Sequence, residues 1–102
     1  MKKLFLIMLV TVSSISLYGQ KRVINQTIHG LKLFYQAFCH NEYIDPITAQ
    51  VLLNDYARYY DQIRRHNCEH KFFYDFFEEY IRVYIARYLL IIPENLKPIL
   101  SF

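Results

Sequence analysis

The chain has 102 residues, with ten Tyr, eight Phe and no Trp, and 12 Lys/Arg against nine Asp/Glu for a net charge of +3. Gly19 and Gly30 are the only glycines, which excludes a glycine-rich phosphate cradle. After Ser16 the only serine is Ser101, which argues against a serine-nucleophile hydrolase.

The first 19 residues read as a secretory signal peptide. Lys2 and Lys3 form a basic start, Leu4–Val12 an apolar run, and Ser13, Ser14 and Ser16 supply small residues before Gly19-Gln20. Cleavage is expected after Gly19 or after Ser16, with Leu17 an imperfect −3 residue for the first. The apolar stretch to Tyr18 is shorter than the roughly 20 residues that span a bilayer. No cysteine lies in residues 1–20, so a lipoprotein attachment is excluded. Without Lys2 and Lys3, ten Lys/Arg face nine Asp/Glu, so the mature chain is close to neutral. Nothing in that balance asks for a nucleic-acid partner. The expected location is the bacterial periplasm or the exterior.

Residues 20–102 are expected to form one small domain, whose core is marginal on its own. The first helix is predicted over 23–40. Ile24, Thr27, Ile28, Leu31, Phe34, Tyr35, Phe38 and Cys39 share an arc of about 140°. Asn25, His29, Lys32, Gln36 and His40 take the other side, with Leu33 the apolar exception. Gly30 costs about 1 kcal/mol mid-helix unless it admits a close neighbour. Asn25-Gln26-Thr27 matches the glycosylation tripeptide, which carries no weight behind a bacterial leader.

Asp45-Pro46 is the clearest local signal. Asp accepts from free N–H groups as an N-cap, and Pro suits the first helical position. The second helix is predicted over 46–65, with Ala49, Leu52, Leu53, Tyr56, Tyr59, Tyr60 and Ile63 inward. Asp61 is placed to pair with Arg65. Arg58, Tyr59, Tyr60, Arg64 and Arg65 interleave bases and aromatics, as a nucleic-acid surface does. Asp55 and Asp61 among them favour an ordinary solvated face.

The third helix, over 70–92, holds most of the apolar mass. Asp75, Glu78, Glu79 and Arg82 gather on one narrow edge, and Glu78 is placed to pair with Arg82. The remaining apolar arc is about 220°, where a surface helix needs about 100°. The excess predicts cover on more than one side, by other helices or by a partner. Arg87 interrupts that arc near the helix end, where a cation suits the dipole. Pro93 is expected to stop the helix, and the tail 93–102 to pack back. The fold class expected is all-α, an up-down-up three-helix bundle behind a cleaved leader.

Cys39 and Cys68 are the only cysteines. In an oxidising compartment they are candidates for one disulfide, which would stabilise by about 3–4 kcal/mol. A straight second helix opposes this, separating them by roughly 30 Å where a bridge needs Cα atoms within about 7 Å. Asn54-Asp55 is the only place where a break in the second helix could rescue the bridge. Cys39, His40, His66, Cys68 and His70 offer metal-ligand types, at a spacing that is not a standard zinc pattern. A Cys68 nucleophile lacks anything evident to orient its histidines.

These features point away from catalysis and cofactors, and no motif of the mature chain points to a family. The expectation is a small exported helical protein that binds another protein or its own copy. The candidate surface is Phe72, Phe73, Tyr80, Tyr84, Arg87 and Tyr88. A metal- or thiol-linked protein using Cys39, His66, Cys68 and His70, and a membrane-surface helix over 80–92, are the alternatives.

Overall fold

The computed structural model describes residues 2–100, with side chains from Lys21 to Leu100. The leader expected over 1–19 lies outside the residues whose side chains are described, as do Ser101 and Phe102. Every regular element among the described residues is helical. They are α1 (Lys2–Cys39), α2 (Pro46–Arg58), α3 (Tyr60–His66), α4 (Lys71–Tyr88) and α5 (Lys97–Leu100), with 3-10 turns at Cys68–His70 and Glu94–Leu96. No helix among the described residues is long and apolar enough to cross a membrane.

α1, α2 and α4 pack pairwise around one core. It holds Ile28, Leu31 and Phe34 from α1, and Leu53, Tyr56 and Ile63 from α2 and α3. α4 adds Tyr74, Phe77, Ile81, Tyr84 and Ile85. Gly30 makes room for α2: a Cβ there would sit 2.9 Å from Leu52 Cδ1.

Each helix end has a local cause. α1 stops at Cys39 because Asn41 turns left-handed (φ 55°), and the Glu42 N–H reaches back to Ala37 O at 2.8 Å. Asp45 caps α2 as expected, accepting from the Thr48 N–H at 3.2 Å, with Pro46 in first position. The helix predicted over 46–65 is two helices, and the break is at Tyr59 rather than Asn54-Asp55. Tyr59 (φ −110°, ψ 19°) leaves the helical range, and Asn95 Nδ2 donates to Ala57 O at 2.8 Å. A side chain inserted into the ladder is a known origin of kinks.

α4 ends at Tyr88, four residues before the predicted end. Leu89 is left-handed (φ 53°, ψ 47°), and Leu90 N–H closes on Ile85 O at 3.2 Å. The chain then runs without helix to Pro93 and returns over the bundle. Leu96 and Leu100 are fully buried there, so the tail is part of the core.

Candidate functional site

The aromatic arc of α4 is largely used inside the molecule. Tyr35 of α1 meets Phe72, Phe73 and Phe76 edge-on, with centroids 5.1, 5.7 and 4.8 Å away. Phe38 packs on Phe76 at 5.4 Å and on Tyr80 at 4.4 Å. Such pairs contribute about 0.5–1.5 kcal/mol each beyond area burial. Of the six expected surface residues, Tyr84 is buried against Phe34, whose ring lies 5.2 Å away. Phe73, Tyr80 and Tyr88 are half-buried, and Phe72 and Arg87 are exposed. Lys32 sits 5.7 Å over the Phe73 ring.

The charged edge of α4 is a seam between helices. The Tyr56 hydroxyl donates to Glu78 Oε1 at 2.5 Å. Arg64 Nη1 donates to Asp75 Oδ1 at 3.1 Å, and Lys71 bonds the other Asp75 oxygen. Arg82 Nε donates to Leu100 O at 3.1 Å. Neither the Glu78–Arg82 nor the Asp61–Arg65 pair forms among the described residues. Glu78 and Arg82 turn to α2 and α5 instead. The bonds from Lys71 and then Arg64 hold the Asp75 carboxyl below the usual range. Burial, then the bond to Glu78, pushes the Tyr56 phenol far above its ordinary value. Burial alone would lower the Arg64 pKa, but Asp75, Tyr56 and Glu78 carry it above the ordinary value.

Cys39 and Cys68 are free thiols, and both are exposed. Cys68 Sγ donates toward Arg65 O at 3.6 Å and Arg64 O at 3.7 Å, while Cys39 lies beside the Tyr35 hydroxyl. Among the described residues no three His, Cys, Asp or Glu side chains gather as a metal site. Cys39, His40, His66, Cys68 and His70 are therefore not brought together.

Phe72 and Val83 of α4 stay exposed, and a second open surface is the outer face of α2. Ile47 is 73% and Val51 53% exposed, and Asn54 and Arg58 continue the same stripe into solvent. The spacing of 47, 51, 54 and 58 is that of one helix face. On one flank, α1 and α2 leave an apolar groove of about 470 Å³, lined by Gly30, Leu33, Phe34, Ala37, Val51 and Leu52 among others. Leu33 (51% exposed) and Tyr43 (76%) stand at its rim, and Asp45 and Asp55 are the charged groups lining it. On the other flank the Gln50 amide grips the tail. Its Nε2 donates to Ile91 O at 2.9 Å, and its Oε1 accepts from the Ile91 N–H at 2.8 Å. Ile91 stays exposed beside the stripe.

Sequence reasoning passed over this face, although it set Leu33 and Gly30 apart on α1. Ile47 and Val51 lie off the inward arc of α2, and two apolar residues at i and i+4 on the outward side were the available signal. Comparison with protein-family models, with curated proteins and with solved structures gives no match.

Proposed function

We propose that this is a small exported helical protein that acts by binding another protein chain, its leader removed and its helices packed as an up-down-up bundle. The docking surface is the outer face of α2 with its flanks, rather than the aromatic arc of α4. One observation carries this reading: Ile47, Val51, Leu33, Tyr43 and Ile91 keep large apolar side chains in solvent around one helix. Contiguous apolar surface rimmed by polar groups is characteristic of interaction sites. The α4 aromatics already have partners on α1.

A photo-crosslinking residue at Val51 of the full chain, expressed in its native host, tests the reading. A discrete adduct is expected at Val51, absent with the probe at Glu79 and lost with Leu33→Glu. The same pattern of adducts at both positions would overturn it.

A further inference from the structure

We infer that the groove between α1 and α2 is a binding site for a small apolar cation, an alkyl or aryl amine whose apolar body fills the groove and whose charge sits against Asp45 or Asp55. The inference goes beyond the docking reading and stands on the lining of the groove alone.

Two helical stripes form the walls. Positions 26, 30, 33 and 37 of α1 and positions 45, 48, 52 and 55 of α2 recur at three- and four-residue spacing, so each set lies on one side of its helix. The space between them exists because several of the lining side chains are small: Gly30, Ala37, Thr48 and Ala49. Its volume of about 470 Å³ lies in the range of small-molecule pockets, which are mostly apolar with a few polar groups that fix orientation.

The sign of the charge names the ligand class. Asp45 and Asp55 line the groove, and no Lys, Arg or His does. They stand about 15 Å apart along α2 at 1.5 Å per residue, so the groove is acidic toward both ends. Asp45 uses Oδ2 for both capping bonds, to the Thr48 N–H and hydroxyl, and Oδ1 has no partner among the described residues. Asp55 is half-buried, and its carboxylate has no ion pair among the described residues. Arg58, one turn on from Asp55, is exposed and outside the lining. A cleft with charge of one sign and apolar walls focuses its field and concentrates the opposite charge. An anion of the same shape is repelled, and a neutral one gains only the apolar contact.

Calorimetric titration of the purified full chain at low salt tests this with three probes of one shape: octylammonium, octanol and octanoate. Octylammonium is expected to bind about tenfold more tightly than octanol, and octanoate more weakly than either. The double variant Asp45→Asn, Asp55→Asn removes both charges and keeps α2, because Asn caps a helix as well as Asp. It is expected to bind octanol as before and to lose the tenfold preference for the cation. In NMR spectra the signals of Gly30, Ala37 and Ala49 are expected to shift with octylammonium. The proposal is overturned if octylammonium does not bind, or if octanol or octanoate binds as tightly. It is also overturned if the double variant keeps the preference, or if the shifts lie away from the groove. The crosslink from Val51 is a separate measurement, so either reading can fail while the other stands.

Discussion

The Tyr56 hydroxyl donates to Glu78 across the contact of α2 and α4, inside a cluster where Tyr56 itself is fully buried. Phe77 and Tyr60 meet the Tyr56 ring edge-on at 5.2 and 5.5 Å, so the phenol cannot turn elsewhere for a partner. Tyr56→Phe keeps the ring contacts and leaves Glu78 without its donor. A hydrogen bond to a charged group contributes about 1.5–3 kcal/mol. A loss of about 2 kcal/mol is expected, measured as a lower urea midpoint at unchanged slope. A shift below about 0.5 kcal/mol would mean that water replaces the phenol at Glu78.

The tyrosines also set the alkaline limit. Burial pushes Tyr74 up to about 12, and Tyr60 and Tyr84 are raised for the same reason, as Tyr56 is. The unfolded chain releases these protons near 10.0, while the folded chain holds them. Stability from this source is full below that pH and falls as the pH rises toward the folded values. Phenolate absorbance should show one group of tyrosines titrating normally and a second ionising only as helicity is lost. A single normal titration of all ten tyrosines with the helices intact would contradict this.

Asp75 contributes to the acid sensitivity of the fold. Its pKa is lowered in the folded state, so its contribution is present above the ordinary carboxylate range and disappears as the pH falls through the folded value. Asp75 is partly exposed, so the effect is small and screened by salt. Asp75→Asn should flatten the fall in stability between neutral pH and the acid range, most clearly at low ionic strength. Parallel curves for the two proteins would assign acid sensitivity to other carboxylates.

Leu89 occupies the left-handed position that ends α4, with its side chain 85% exposed. A Cβ there costs about 1–2 kcal/mol, and the leucine recovers little by packing. Leu89→Gly is expected to raise stability by about 1 kcal/mol, less a part lost to the freer unfolded chain. Thermal melts decide it, and a lowered Tm would show that the leucine packs in solution.

Much of the architecture is readable from local chemistry. The Asp45-Pro46 start, the inward arcs of the first two helices and the odd place of Leu33 each depend on residues close in sequence. The misjudged features depend on residues far away. Tyr59 ends α2 because Asn95, 38 positions on from Ala57, takes that carbonyl. Glu78 turns from Arg82 because Tyr56 comes within reach from 22 positions back. A helical wheel gives the direction of a side chain and not what it meets. The early end of α4 had no glycine to announce it, since Leu89 turns left-handed itself. The α4 arc is the longest apolar one, yet the fold covers most of it, leaving Phe72 and Val83 exposed, while the shorter arc of α2 leaves Ile47 and Val51 in solvent.

Leu96 is a core residue in a segment with little regular structure. Leu96→Ala is expected to cost about 2–5 kcal/mol, as in other cores. For so small a domain that is a large part of the total. Loss of the cooperative thermal transition in this variant would fit, while an unchanged Tm would place the tail outside the folding unit.

The grip of Gln50 on Ile91 also bears on the order of events during synthesis. Gln50, Ala57 and Arg82 each wait for a partner that emerges later, at Ile91, Asn95 and Leu100. Local helices form within microseconds of emergence, but these closures span up to 41 residues. The kink at Tyr59 and the closing of the core by Leu96 and Leu100 therefore mature only when residues 91–100 are free to fold back. Until then the nascent chain is a loose set of helices with its core ajar, a form that a protease can cut.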